Sequence, residues 1–302
     1  HESPFVTCYT VFTFLKAREA GYEVDKARLE RSMSRLKNLL QAKPDTLDYP
    51  CSISSLKTLQ AYALYDLALF GRPEPAYAEK LFQERQNLSL FGRALLLKAL
   101  YIGRGSQDAR KTLIQEFINK IKVTASQAHF EEEPDLGLSW IYSSNTRTTA
   151  IILQALLEVG ENHPLLPAAA RWLVDKRKAG RWNSTQENFF VFYALNDFYS
   201  AREKTKPDFK VEISLAKKVL LSEVFRTTTQ TAKAASGLSE FKPGKTLPLR
   251  FEKQGPGILY YGARFTYAPR QKLEPRDEGF AVYKTISSLD GKPLESIKAG
   301  SL

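Results

Sequence analysis

Residues 184–195 read Ser184-Thr185-Gln186-Glu187-Asn188-Phe189-Phe190-Val191-Phe192-Tyr193-Ala194-Leu195, a polar tetrad followed by an almost wholly apolar run. A helix that is apolar on nearly every side has no face for solvent, so other helices must surround it. Four earlier segments have the same character, at 7–20, 52–70, 88–102 and 146–159. The sequence therefore predicts a layer of buried inner helices in the first two thirds of the chain.

The segments between these inner helices have a different pattern. Residues 25–41 carry one apolar stripe, Leu29, Met33, Leu36 and Leu40, on an otherwise polar background. This pattern is typical of a surface helix with one face inward. Similar outer helices are predicted at 76–85, 106–123 and after Pro164, with a long polar connection over 124–144.

The inner segments begin at intervals of roughly 35 to 60 residues, a spacing that indicates stacked helical pairs. Such pairs form either an open solenoid or a closed ring. All-round apolar inner helices combined with single-stripe outer helices favour the closed form, an α/α toroid. Because a typical toroid has six pairs, we expect at least one further inner helix upstream of His1.

The pattern changes after residue 200. Residues 209–213 alternate apolar and polar side chains, as a half-buried strand does. Further strands are predicted at 218–226, 247–251, 257–267 and 279–286, with turns rich in Gly and Pro between them. The predicted fold class is a multidomain α+β chain, an α/α toroid followed by antiparallel β-sandwich segments.

Composition narrows the function classes. The chain has 302 residues, 43% hydrophobic and 25% charged, as expected of a globular protein of about two domains. No apolar run approaches the length of about 18 residues that a transmembrane helix needs. The net charge is +11, but the basic residues are scattered among acidic ones. That pattern favours a solvated basic surface over a nucleic-acid site, which clusters its basic residues.

The two cysteines, Cys8 and Cys51, lack the paired spacing of a zinc site. Both precede or begin an inner helix, and in a ring of helical hairpins those ends lie on one rim. A Cys8–Cys51 disulfide in an oxidising compartment and two separate buried thiols both stay open. The histidines, His1, His129 and His163, are too far apart in sequence to indicate a metal site, and no cofactor motif is present.

Two sets of polar residues are candidate sites. Ser184 and Glu187 have the spacing of a capping box, and Gln186 between them is placed to line the rim of the toroid. The second set is an acidic loop with nearby aromatic residues: Glu131, Glu132, Glu133, Asp135, Trp140 and Tyr142. Many α/α toroids hydrolyse sugars with two carboxylates. The simpler interpretation, a solvated acidic loop, is favoured, since the inner helices offer chiefly Glu158 and Glu187 as partners.

Four segments, taken in their order, carry a resemblance to a known family: 7–24, ending Lys16-Ala17-Arg18-Glu19-Ala20-Gly21-Tyr22-Glu23-Val24; 145–159, beginning Asn145-Thr146-Arg147-Thr148-Thr149-Ala150; 180–187, Gly180-Arg181-Trp182-Asn183-Ser184-Thr185-Gln186-Glu187; and 257–261, Gly257-Ile258-Leu259-Tyr260-Tyr261. In this order they resemble the C-terminal region of the bacterial α-2-macroglobulin family. The resemblance implies a thioester-type toroid domain over 1–200 that is incomplete at its N-terminus. It also implies the returning half of a CUB-like β-domain over 206–272 and the start of a macroglobulin-like β-domain over 275–302.

Members of that family trap proteases, and many couple to them through a thioester formed by a Cys-x-Glu-Gln motif. The motif is absent here, because Cys8 precedes Tyr9-Thr10-Val11 and Cys51 precedes Ser52-Ile53-Ser54. In the family it lies upstream of the helix that 7–20 resembles, so either the motif precedes this chain or the parent protein lacks it.

The resemblance therefore implies a fragment of a large secreted or periplasmic protein, with a lipid anchor upstream as one option. Its expected function is broad-spectrum protease inhibition by entrapment without catalytic turnover, with target proteases as partners and cell-envelope proteins as further candidates. A carbohydrate-active toroid enzyme and a non-inhibitory cell-envelope scaffold are the alternatives.

Overall fold

The computed structural model describes residues 3–44, 52–132, 144–241 and 244–267, together with 285, 287–288 and 290–294 near the end of the chain. The chain separates into two compact units, His1–Tyr260 and Tyr261–Leu302. The first is rich in helices and also contains small antiparallel sheets. No helix in the described residues is both long and apolar enough to cross a membrane.

The described part contains nine α-helices of 9 to 17 residues. They are α1 (Pro4–Glu19), α2 (Lys26–Gln41), α3 (Ile53–Leu69), α4 (Pro75–Gln83), α5 (Leu90–Ile102), α6 (Gln107–Lys120), α7 (Asn145–Glu158), α8 (Leu166–Asp175) and α9 (Thr185–Phe198). Every helix predicted from the sequence is present within a few residues of its predicted bounds. A π-helical turn, Tyr199–Glu203, continues α9.

Alternate helices form a row, α1–α3–α5–α7–α9, in which each helix packs against the next. We call these five the row helices. The middle three are buried on nearly all sides, and even their polar residues, such as Thr58 and Gln154, are shielded from solvent. By contrast, α2 buries a single stripe and packs against α1 and α3, as its sequence pattern predicted.

The first and last row helices differ from the prediction. Phe192 on α9 is 58% exposed and Val6 on α1 is 56% exposed, so the expectation that both helices are buried on all sides was wrong. Each packs closely against one row neighbour, α3 for α1 and α7 for α9, and part of its remaining apolar surface is uncovered. Aromatic side chains nevertheless join the two ends, since Phe12 stacks on Phe190 at 6.1 Å between ring centroids.

The β-structure consists of two small antiparallel sheets. The predicted connection after α6 contains a short hairpin, β1 (Lys122–Val123) with β2 (Ala128–His129). Further on, β3 (Phe209–Leu215) lies between β4 (Lys218–Phe225) and β5 (Leu249–Gln254), and Val211 pairs with Glu223 on one side and Lys253 on the other. These strands were predicted, with shifted ends for β5.

The strand predicted at 257–267 is not formed, which corrects the sequence analysis. The segment has no regular structure, and its aromatic residues Tyr261, Phe265 and Tyr267 are exposed. A strand needs a paired neighbour, and no strand in the described residues pairs with this segment. The strand predicted at 279–286 falls almost entirely outside the described residues.

Candidate functional site

The amino ends of the row helices share one device. Each row helix follows a serine, Ser3, Ser52, Ser89, Ser144 or Ser184, whose hydroxyl oxygen accepts a hydrogen bond from the backbone N–H three residues later. This bond satisfies one of the N–H groups that lack a partner within the helix. We call the group of residues around these five starts the amino rim. The signal was visible in the sequence as a serine before each long apolar run.

Glu187 connects two of these starts. Its backbone N–H donates to the Ser184 hydroxyl at 3.1 Å, while the N–H of Asn183 donates to its carboxylate at 2.9 Å. The capping-box pairing expected between Ser184 and Glu187 is therefore present in one direction, and the return bond comes from the preceding residue. The second carboxylate oxygen accepts from the Ser144 hydroxyl at 2.6 Å, which ties the start of α9 to that of α7.

Gln186, the third predicted residue, also joins α7 to α9. Its side-chain oxygen accepts from the Arg147 guanidinium at 2.5 Å. Arg147 is 1% exposed and lies over the ring of Phe91 on α5, 4.5 Å from the ring centroid. Nothing local in the sequence distinguishes this buried arginine, in a polar helix turn, from an exposed one.

Glu132 belongs to the amino rim and not to a solvated acidic loop. Its carboxylate accepts from the backbone N–H groups of Leu90 and Phe91, at 2.6 and 3.1 Å, and from the Thr148 hydroxyl at 2.6 Å. It therefore caps α5 from outside that helix. Burial raises the pKa of Glu132, although these hydrogen bonds act in the opposite direction.

The remaining acidic-loop residues separate into two groups. Glu131 is exposed, as expected, and lies 3.2 Å from the His129 ring. Glu133, Asp135, Trp140 and Tyr142 fall outside the described residues. Only Glu131 of the described loop residues thus fits the interpretation of a solvated acidic loop.

Glu158 and Glu187, the two carboxylates expected as partners, lie near opposite ends of α7. Glu158 is the last residue of α7 and pairs with the buried ammonium of Lys98 at 3.1 Å. Glu187 lies beside Ser144 at the start of α7. This position is about 20 Å from Glu158 along the axis of α7. The two carboxyl groups of a glycosidase lie within about 10 Å of each other, with the sugar between them. Glu158 and Glu187 therefore do not form such a pair.

Cys8 lies buried in α1 and has no disulfide partner among the described residues. Burial and, to a lesser degree, the nearby Asp66 raise the pKa of this thiol well above its ordinary value. Cys51 falls outside the described residues, and the Cys8–Cys51 disulfide stays a prediction.

The two described histidines, His129 and His163, contact neighbouring protein groups. His129 stacks on Trp172 at 4.7 Å between ring centroids. The Nδ1 atom of His163 accepts from the backbone N–H of Leu165 just before α8. The described residues contain no group of three or more side chains suited to hold a metal ion.

Known proteins resemble this chain in sequence and in fold. No protein-family model matches the chain. An alpha-2-macroglobulin homolog from Nostoc sp. is 24% identical over 292 residues, which cover 96% of this chain and 15% of the relative. This chain thus spans about one seventh of the length of the curated relative that it matches.

Solved structures show the same likeness. The Salmonella alpha-2-macroglobulin reacted with methylamine matches 74% of this chain and 14% of its own, with 24% identity and a TM-score of 0.57. The Escherichia coli alpha-2-macroglobulin activated by porcine elastase matches 75% of this chain and 19% of its own, with 19% identity and a TM-score of 0.59.

A third structure locates the matched part. It contains the Escherichia coli protein from domain MG7 to the C-terminus, and it matches 75% of this chain and 33% of its own, with 19% identity and a TM-score of 0.56. The likeness expected from the sequence is confirmed: this chain is similar to the C-terminal part of bacterial alpha-2-macroglobulins.

Proposed function

We propose that this chain is part of a larger protein that inhibits proteases by entrapment. The observation that carries the proposal is the similarity over 96% of the chain to an alpha-2-macroglobulin homolog. Two structures with the same fold are of the Escherichia coli alpha-2-macroglobulin activated by trypsin and by elastase, which makes proteases the first partners to test.

The domain organisation follows from the same proposal. Residues 1–200 form an α/α-toroid domain of the thioester type, residues 206–272 a CUB-like β-domain, and residues 275–302 the start of a macroglobulin-like β-domain. The row of alternate helices and the aromatic contacts between α1 and α9 support the toroid. The three-stranded sheet β4–β3–β5 supports a β-domain after residue 206.

In this proposal the amino rim holds the toroid together and has no catalytic turnover. Glu132 and Glu187 each use both carboxylate oxygens to accept hydrogen bonds from helix starts. A carboxylate engaged in this way is poorly suited to transfer protons to a substrate. This arrangement disfavours the carbohydrate-active alternative.

The test uses the natural full-length protein and a protease such as elastase. The protease is assayed on a dye-labelled protein substrate and on a small chromogenic peptide, with and without the candidate inhibitor. Entrapment predicts that cleavage of the large substrate falls while cleavage of the peptide persists, because only small molecules reach an enclosed active site. Equal loss of both activities, or loss of neither, would contradict the proposal, and the second result would favour a non-inhibitory envelope scaffold.

A thioester in the natural protein would lie outside this chain, because this chain contains no Cys-x-Glu-Gln motif. Its presence predicts that the protein forms an elastase adduct that survives denaturing electrophoresis, and that prior treatment with methylamine prevents the adduct. Trapping without an adduct identifies a non-covalent inhibitor.

We propose that the protein lies in the periplasm or outside the cell, where it would meet foreign proteases. A lipid anchor is one means of keeping it there.

A further inference from the structure

The opposite ends of the row helices enclose an open cleft of about 810 Å³. It lies at the carboxyl ends of α1, α3, α7 and α9 and is also lined by Ser200 and Ala201 of the π-helical turn. We call it the carboxyl cleft. Its volume is within the range of about 300–1,000 Å³ that small-ligand sites occupy in proteins.

The charged groups of the carboxyl cleft are unevenly paired. Lys16 forms an ion pair with Glu19 at 2.7 Å, and Glu158 pairs with Lys98 at 3.1 Å. Asp197 instead accepts a hydrogen bond from the neutral amide of Gln154, at 2.9 Å, and has no ion-pair partner among the described residues. The oxygen of the same Gln154 amide accepts from the buried ammonium of Lys98 at 2.6 Å. The half-buried Asp197 is therefore linked to a cation through Gln154 but is in no direct ion pair among the described residues.

The helix ends add to this negative character. The carboxyl end of a helix carries roughly half a negative charge from its unpaired carbonyl groups, and the ends of α1, α3 and α7 lie at the cleft. Arg18, in the last turn of α1, offsets part of this field, and its guanidinium lies over the ring of Phe70 at 5.2 Å. A cation that enters beside Asp197 would meet both the carboxylate and the helix end of α7.

The walls of the cleft include apolar side chains. Leu15, Leu69 and Leu157 line it together with the polar groups. The stem of a lysine or arginine side chain is a short hydrocarbon chain that packs on apolar surface while its charged head reaches a polar partner. Leucine side chains and a carboxylate that line the same cleft are complementary to these two parts of the side chain.

We propose that the carboxyl cleft binds a peptide segment through a lysine or arginine side chain. The charged head of that side chain pairs with Asp197, and its stem lies along the leucines. The proposal does not depend on protease entrapment, because it concerns a binding site in the helical unit and is tested by binding alone.

The experiment is calorimetric titration of the natural full-length protein with three acetylated, amidated pentapeptides. They differ only in the central residue, which is lysine, norleucine or glutamate between leucines. We expect the lysine peptide to bind at least fivefold more tightly than the norleucine peptide, and the glutamate peptide not to bind. The preference should weaken as salt is raised, since the ion pair is partly exposed.

A matched pair of variants identifies the site. Asp197→Asn keeps the hydrogen bond from Gln154 and removes the charge, and it should weaken binding of the lysine peptide about tenfold, as expected for loss of a charge-assisted hydrogen bond. Asp175→Asn is the control: Asp175 is exposed outside the cleft and likewise accepts a hydrogen bond from a glutamine amide, that of Gln127. It should leave the affinity unchanged.

Three results would overturn the proposal: no heat of binding for the lysine peptide at millimolar concentration, equal binding of the norleucine peptide, or equal effects of the two variants. Thermal unfolding of both variants is measured alongside. A loss of affinity in Asp197→Asn counts only if its melting temperature matches that of the unsubstituted protein. If the melting temperatures differ, the titration is repeated with Asp197→Glu. This variant keeps the charge and should retain the preference for the lysine peptide. Loss of that preference would contradict the proposal.

Discussion

Glu131 and Glu132 are adjacent in sequence but have different environments. Glu132 accepts hydrogen bonds from two backbone N–H groups of α5, whereas Glu131 is exposed. We expect Glu132→Gln to lower the free energy of unfolding by about 1–3 kcal/mol, because the new amide group faces a backbone donor. Glu131→Gln should change it by less than about 0.5 kcal/mol. Urea denaturation measures both, and equal effects would contradict the assignment of Glu132 as a helix cap.

Asp66 lies inside α3, 0% exposed, and neither of its carboxylate oxygens has a hydrogen-bond partner among the described residues. Burial raises the pKa of Asp66 well above the ordinary value of 3.8. The folded protein therefore holds the proton of this carboxyl group more tightly than the unfolded chain does. The contribution of this group to the free energy of unfolding is therefore complete below pH 3.8 and declines as the pH rises above that value.

The prediction compares the natural residue with Asp66→Asn, whose amide does not titrate. Relative to that variant, the free energy of unfolding of the natural protein should fall between pH 5 and pH 8, by up to about 1.4 kcal/mol per pH unit. The comparison cancels the titration of other groups. A difference that stays constant over this range would show that Asp66 is ionised, or solvated, in the folded protein.

At the scale of elements, α3 and α5 approach closely at Gly92. A Cβ atom at this position would lie 2.8 Å from the hydroxyl oxygen of Thr58 and 3.2 Å from its Cα atom. We expect Gly92→Ala to destabilise the fold by about 1–3 kcal/mol from overpacking, a cost that exceeds the gain in helix propensity. Chemical denaturation measures it. In a Thr58→Ala background the same substitution should cost less, and an unchanged cost would place the strain elsewhere.

Helix positions could be predicted from the sequence because their signals are local. A serine followed by a long apolar run marks each row helix, and single apolar stripes mark helices such as α2. Residues 257–267 contain aromatic residues suited to a strand, yet they form none. Strand formation depends on a neighbour that pairs with it, and a local pattern carries no information about that neighbour.

At the scale of the helical unit, the two ends of the row of helices meet through aromatic rings. Phe12 on α1 and Phe190 on α9 are both buried and stack at 6.1 Å. Each change to Ala should cost about 3–5 kcal/mol. The double variant should cost less than the sum by about 0.5–1.5 kcal/mol, the coupling of an aromatic pair. A cycle of Phe12 with Phe117, which packs on Phe130, is the control and should be additive. Additivity in the first cycle would contradict contact between the row ends.

The sequence by itself determined the alternation of buried and amphipathic helices, the change to strands after residue 200, and the likeness to bacterial alpha-2-macroglobulins. The first two follow from side-chain periodicity and capping residues, which act over a few neighbouring positions, whereas the likeness rests on the order of four segments that resemble that family. Only the tertiary structure placed Glu132 on α5, Arg147 against Phe91 and Asp197 in the carboxyl cleft. Those positions depend on contacts between residues roughly 40 to 180 apart in the chain, as with Lys16 and Tyr193 across the same cleft, and no local pattern specifies them.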